Sequence, residues 1–324
     1  MEYFLIDQPG ETYYPRPEGS ILINSPAASR KALMWIKGAW HAVNTTTKDD
    51  ILLCYLDIQA VICWWIALLT CRKRNIVAIN ILLKDKPTLK NRVASWLYKR
   101  ALSSKRFHAT VTSPEYGKWL NRKFRRDFSY YHLPDLYVYD DLADIAATTP
   151  VEPDTVFCGG KNGRDWQMMA DIAKAMPEMR FKLIMPGEVW NAIGASLPQN
   201  VTCRHDIPVD EFLNEMASSE VVCLPLDTEA PAGLIVLFQA AAMNKPIVTT
   251  DTVTTRGYIN DEISNARLIA SNDPLKWADS IRLTSNIASQ QHSLRKYLRN
   301  NCSSVSFVNH LSNIISDILR NKNR

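Results

Sequence analysis

Two glycine-bearing stretches in the second half of this 324-residue chain carry residues suited to an anionic ligand. Gly159-Gly160-Lys161-Asn162-Gly163 is a turn whose backbone can approach a ligand closely, because glycine accepts conformations that a Cβ forbids, and Arg164 follows it. Pro231-Ala232-Gly233 leaves the start of the next helix uncluttered. The N–H groups of a first helical turn lack intrahelical partners and sit at the positive end of the dipole, so they could face an anion. That helix, Leu234 to Met243, is apolar all round except for Gln239. Asn244 suits the left-handed residue that ends a helix, Lys245 sets a positive charge by the exposed carbonyls, and Pro246 stops continuation. No histidine assigns itself to proton transfer; His41 and His108 are candidates, His108 lying just before a strand that leads to Ser113.

The elements that must position these residues alternate between strand and helix. In the first half the apolar runs predict strands at Tyr3–Ile6, Ile21–Ile23, Asp50–Tyr55, Ile76–Leu83 and Ala109–Thr112. The helices between them are expected from Ser25-Pro26 to Val43, from Asp57 to Thr70, from Leu89 to Leu102 and from Pro114 to Phe124. The segment from Asp7 to Ser20, rich in Pro and Gly, reads as loop, and Pro9-Gly10 is its only glycine signal near the start. Asp140 to Asp154, with two prolines, reads as an interdomain linker. Beyond it, strands are expected at Thr155–Cys158, Arg180–Met185 (turned by Pro186-Gly187), Val201–Cys203, Val221–Pro225 and Ile247–Thr250. A final amphipathic helix places Phe307, Leu311, Ile314, Ile315 and Ile318 on one stripe. The expected organisation is α/β: a first domain over 1–145, a second over 146–303, and a C-terminal helix over 304–324 packing back on the first domain. Each is a doubly wound parallel unit with right-handed crossovers. Ligands in such sheets bind at the strands' carboxyl ends. Three loops of the second domain fall there: Gly159–Arg164, Pro186-Gly187 and Leu226–Gly233.

Composition is that of a globular chain, 46% hydrophobic and 22% charged. Seven cysteines form no C-x-x-C pair and read as reduced core thiols of a cytoplasmic protein. Met1-Glu2-Tyr3 lacks a basic leader region, and Asp7 interrupts the apolar start. Between Arg72 and Arg126 sixteen Lys and Arg meet only Asp85 and Glu115, a net +14 that leaves −9 for the rest of a chain whose total is +5. Such asymmetry points to an anionic partner. The apolar run Ala60–Cys71 is too short for the roughly 20 residues of a spanning helix. It reads first as a buried domain helix; Trp64 and Trp65, with the basic helix of Arg92, Trp96, Lys99 and Arg100, give a second reading, peripheral contact with an anionic membrane surface on its cytoplasmic face. Nucleic acid is not expected, since no binding motif or interleaved stacking pattern is present.

In order and type, Val156-Phe-Cys-Gly-Gly, Arg164-Asp-Trp166, Val221-Val-Cys-Leu-Pro-Leu226, Ala232-Gly233 and Gln239-Ala-Ala-Ala-Met-Asn-Lys-Pro-Ile-Val248 resemble the retaining glycosyltransferases of the two-domain GT-B fold, most like glycosyltransferase family 4. The likeness is strong over Thr155–Asp251 and looser in the first half. It implies two Rossmann-like domains facing a central cleft, and transfer from a nucleotide-sugar donor to a glycan or lipid-linked acceptor in polysaccharide or glycolipid assembly. It implies donor contacts from Gly160, Lys161, Arg164, Gly187, Gly233, Leu234 and Gln239, with Lys161 and Arg164 neutralising the departing pyrophosphate without a metal. Retention would then proceed by front-face displacement, the departing phosphate taking the acceptor's proton. The chain departs from the family at two acids. Gln239 stands where an acid accepts from the ribose hydroxyls; an amide still accepts, and it can donate too. The earlier acid is out of register: Pro231 lies eight residues before Gln239, and Glu229, two further back, or Asp227 is the candidate near the sugar, unless both are loop carboxylates; His108 is the candidate for proton transfer.

Three rivals share these features. Asp227-Thr-Glu229 matches the D-x-D metal motif of the other glycosyltransferase fold, GT-A, but sits here in a two-domain pattern. A nucleotide-sugar epimerase also uses two such domains. A non-catalytic sugar-nucleotide-binding subunit would explain Gln239 and the missing first-domain glycine loop.

Overall fold

The computed structural model describes residues 1–6, 15–84, 87–285 and 293–322. Pro9-Gly10, Asp85 and Lys86 lie outside the described residues. The chain divides into two compact units, one of Met1–Leu136 with Asn301–Arg324 and one of Tyr137–Asn300.

The first unit begins β1 (Glu2–Ile6), β2 (Ile21–Asn24), α1 (Lys31–Thr45), β3 (Ile51–Cys54), α2 (Asp57–Leu69), β4 (Asn75–Ala78), α3 (Leu89–Leu102), β5 (Phe107–Val111), α4 (Pro114–Phe124) and β6 (Tyr131–His132). Its parallel sheet has the order β2-β1-β3-β4-β5-β6. β3 and β4 are buried along their whole length, so apart from Asn75 at the start of β4 they read as apolar runs without alternation. α4 starts where the sequence requires. Ser113 Oγ accepts the Tyr116 N–H, Pro114 opens the first turn, and Arg125 closes the helix in the left-handed region.

The second unit runs α5 (Leu142–Thr148), β7 (Glu152–Gly159), α6 (Trp166–Ala175), β8 (Arg180–Met185), α7 (Gly187–Ile193), β9 (Val201–His205), α8 (Val209–Ser218), β10 (Ser219–Leu224), α9 (Leu234–Ala242), β11 (Ile247–Thr250), β12 (Ala266–Ile269), α10 (Pro274–Ser285) and α11 (Ser293–Asn301). Its parallel sheet is ordered β12-β11-β10-β7-β8-β9. The strand order reverses between β7 and β10, and α/β sheets bind ligands at that place.

The last helix, α12 (Ser304–Lys322), belongs to the first unit. Its stripe of Phe307, Leu311, Ile314, Ile315 and Ile318 is buried in one cluster with Phe4, Ile6, Ile51, Leu53, Val77 and Ile79 of the first sheet. Tyr131 Oη donates to Asp317 at 3.1 Å beside it. Right-handed crossovers set α1 to α4 along the sheet's other face. Among the described residues no helix is long and apolar enough to cross a membrane.

Three local expectations change. The boundary between units falls after Leu136, so the stretch expected as a linker folds as α5 and the start of β7. The compact units end at Leu136 and Asn300, beside expected domain bounds of 145 and 303. α1 starts at Lys31, because Ser25 is not a cap: its buried hydroxyl donates to Ile6 O at 2.7 Å and accepts from Gln59 Nε2 at 2.8 Å. β4 stops at Ala78, because Asn80 turns left-handed (φ 46°) and the N–H groups of Asn80, Leu82 and Leu83 go to side chains, those of Thr110, Asp57 and Tyr116.

Candidate functional site

The loops that leave β7 and β10 flank the switch point and are stitched together. The Asp165 N–H donates to Pro225 O at 2.9 Å, the Asp227 N–H donates to Gly163 O at 3.0 Å, and Arg164 pairs with Leu226 in a short antiparallel bridge. Three glycines here take positive φ: Gly160 at 119°, Gly163 at 66° and Gly233 at 85°. The first two let the β7 loop turn back on itself, and the third opens α9.

Arg164 is the centre of this arrangement. It is only 6% exposed. Its Nε donates to Gly159 O at 2.8 Å and its Nη1 to Asn162 O at 3.1 Å, so its own loop fixes the fork. The guanidinium lies between two glycines: a Cβ on Gly160 would come within 2.7 Å of Nη2, and one on Gly233 within 2.9 Å of Nη1. The glycines therefore leave the space that the guanidinium fills. Burial pulls its pKa down from the usual arginine value, and the neighbouring Cys158 thiol is pushed up to about 12 by burial, so it stays neutral. Among the described residues no carboxylate forms an ion pair with Arg164. A buried cation held by carbonyls alone is costly unless an anion joins it.

Around it stand the other donor candidates. Lys161 is exposed at the turn, without an ion pair among the described residues. α9 begins at Gly233 with no side-chain cap, so its first-turn N–H groups are not taken by one. Leu234 is buried and anchors that turn. Gln239 is partly buried, and its Oε1 is a buried acceptor with no hydrogen-bond partner. An acceptor left so is unfavourable in the empty protein and suits a hydroxyl donor. Gly187 opens α7 after β8, where a Cβ would meet Asp206 Oδ2 at 2.9 Å.

Glu229 and His108, the two candidates for chemistry, lie in the second and the first unit respectively. Glu229 Oε2 accepts the Val253 N–H at 2.8 Å, and its carbonyl accepts from Thr254 Oγ1 at 2.9 Å. Together with Leu226 N–H donating to Thr250 Oγ1 at 2.7 Å, this ties the β10 loop to the β11 end and gives Glu229 a positioning task. His108 is the second residue of β5, near that strand's amino end, paired with Val77 and in ring contact with Tyr131 at 6.3 Å. Burial lowers its pKa. The carboxyl ends, where α/β sheets bind ligands, are at the other end of that strand. Among the described residues no group of three or more His, Cys, Asp or Glu converges as a metal site.

Sequence reasoning overlooked Asp57, which it takes only as a helix start. Asp57 lies at the carboxyl end of β3, accepts from Tyr98 Oη at 2.6 Å and from the Leu82 N–H at 2.8 Å with Oδ2, and from the Ile58 N–H at 2.8 Å with Oδ1. Burial raises its pKa to about 6 despite these hydrogen bonds. Its place between a buried strand and an apolar helix was the available signal.

Residues 152–286 match the family model of group 1 glycosyl transferases. No curated protein matches the chain in sequence. Among solved structures, Anabaena HepE in complex with UDP and glucose is similar at 13% identity and a TM-score of 0.67, over 97% of this chain and 99% of that one. Sucrose-phosphate synthase from Thermosynechococcus elongatus is similar at 12% identity and a TM-score of 0.69, over 98% and 89%. AviGT4, a glycosyltransferase involved in avilamycin A biosynthesis, is similar at 14% identity and a TM-score of 0.53, over 99% and 98%. The two parallel six-stranded sheets are those of the GT-B fold.

Proposed function

We propose that this chain, a glycosyltransferase of the GT-B fold, transfers a sugar from a nucleotide-sugar donor to a glycan or lipid-linked acceptor in polysaccharide or glycolipid assembly, with retention. The observation that carries the donor half is Arg164, buried between Gly160 and Gly233 without a carboxylate partner among the described residues. The donor's pyrophosphate is the anion that this cation lacks. It lies against Arg164, Lys161 and the first N–H groups of α9, all of which gain strength as the phosphate leaves and its charge grows. Gln239 Oε1 accepts from a ribose hydroxyl. HepE, similar across nearly the whole chain, has been solved with UDP and with UDP-glucose, which favours a uridine donor here.

In the reaction the acceptor oxygen bonds to the anomeric carbon as the bond from that carbon to the phosphate oxygen breaks. The acceptor's proton passes to the departing phosphate. The protein's part is to hold the diphosphate and spread its charge, a task for Arg164 and Lys161 that needs no side-chain nucleophile.

Calorimetric titration with UDP, followed by UDP-glucose turnover with and without a glycan acceptor, tests this reading. Binding that Lys161→Ala and Arg164→Lys weaken, with release of UDP that depends on acceptor, is the expected result. UDP bound normally by both variants would remove the diphosphate role.

A further inference from the structure

We infer that the outer surface of α1, α2 and α3 docks the protein on an anionic lipid bilayer. The inference stands on the first unit and is independent of the donor site.

The three helices follow successive crossovers on one face of the first sheet, α1 packed on α2 and α2 on α3. Trp65 of α2 and Trp96 of α3 stack at 5.5 Å across that junction. Their outward stripes are therefore one continuous surface. A water-facing helix carries its polar side outward; these bury one apolar side and carry further large apolar residues outward among their basic ones. On α1, Ile36 and Trp40 lie one turn apart and are about half exposed (48% and 54%). Leu68 and Leu69 end α2, Leu69 at 77%. On α3, Val93 and Trp96 are each 50% exposed. A contiguous apolar patch of this kind marks an interaction surface.

The charges around it choose the partner. α1 to α3 carry Lys31, Lys37, Lys90, Arg92, Lys99 and Arg100, and Arg72 and Lys73 follow α2 directly. Their only acid, Asp57, is bonded to Tyr98 and two N–H groups instead of facing out. Among the described residues none of these cations forms an ion pair. Arg100 instead lies over the Trp96 ring at 5.6 Å. Aliphatic and indole side chains ringed by unneutralised cations fit acyl chains beneath anionic headgroups. A second copy fits poorly, because two such faces repel one another. A nucleic acid has no use for the leucines.

The test is cosedimentation of the full chain with vesicles of phosphatidylcholine containing about 30 mol% phosphatidylglycerol. Binding is expected, weakened at least about tenfold by the Trp40→Ser/Trp96→Ser pair and by Lys37→Glu/Arg92→Glu, and also weakened by salt. Both pairs change exposed side chains, so circular dichroism and UDP titration should remain those of the parent. Cys71, exposed at the end of α2, takes a nitroxide whose collision with lipid-soluble oxygen should rise on vesicles. No binding to anionic vesicles would overturn the inference, as would binding that neither pair alters. A dimer in sedimentation velocity that the Trp pair dissociates would assign the face to a second copy instead. Tight binding to a DNA oligonucleotide without vesicle binding would assign it to nucleic acid.

Discussion

The guanidinium of Arg164 occupies the space that a side chain at Gly233 would need: a Cβ there would stand 2.9 Å from Nη1. Gly233 also holds φ at 85°. Gly233→Ala should therefore lose stability by about 1–2 kcal/mol from the backbone alone, and displace the guanidinium as well. Chemical denaturation and UDP titration of the same variant check both. Because the two residues share one space, the loss in affinity should not add to that of Arg164→Lys in a double-mutant cycle.

Lys161 and Arg164 should separate binding from folding. Lys161 is exposed, so Lys161→Ala should leave stability within about 0.5 kcal/mol while lowering UDP affinity about five- to tenfold, less at high salt. Arg164→Ala strips a donor from Gly159 O and from Asn162 O and should cost about 1–3 kcal/mol of stability besides. A thermal-shift series with and without UDP distinguishes these patterns.

Gln239 offers a test in which stability and function move in opposite directions. Its Oε1 is buried without a partner. Gln239→Leu should stabilise the empty protein by roughly 1 kcal/mol and weaken UDP more than inorganic pyrophosphate, because only UDP has a ribose. Gln239→Glu should hold or raise UDP affinity, since a charged acceptor makes the stronger hydrogen bond. Equal effects of Gln239→Leu on both ligands would take the ribose away from this residue.

Asp57 gives the fold a pH dependence of definite sign. Its pKa is about 6 in the folded chain against an ordinary 3.8. The folded state therefore holds the proton more tightly, and stability is fully present below about pH 4 and lost as pH rises through about 6. The displacement corresponds to roughly 3 kcal/mol. Asp57→Asn should be insensitive to this change, so its stability relative to the parent should improve by up to that amount between about pH 4 and pH 7. Urea unfolding of both proteins across that range measures it.

The parts of the fold set by local chemistry were legible before the structure. Asn244 takes the left-handed position at the end of α9 (φ 54°), and Ser113-Pro114 opens α4, because caps and turns are decided within a few residues. Lys245 shows where that reach ends. The sequence places it near its own helix's carbonyls, yet its ammonium donates to Ala217 and Ser219 carbonyls at the end of α8, and burial lowers its pKa to about 8. The apolar run after Ile76 reads as strand through Leu83, since periodicity cannot tell a buried strand from a buried loop. Arg164 is expected at the donor pyrophosphate, but its burial is not, and only the long-range approach of Gly233 makes it a buried cation. The glycine pattern and the charge were visible separately, but the packing of one between the others was not.

The return of α12 to the first sheet has a consequence for assembly. The second unit is continuous in sequence, Tyr137–Asn300, and stands between the two segments of the first. A ribosome delivering this chain releases β1 to β6 early, but the stripe that covers Phe4, Ile6, Ile51 and Leu53 arrives only with Phe307 to Ile318. Until then one face of that sheet is an open apolar surface of the kind that nascent chains aggregate through or chaperones shield. The second unit can close on itself first, so completion of the first sheet waits on a helix made after the whole of the second unit.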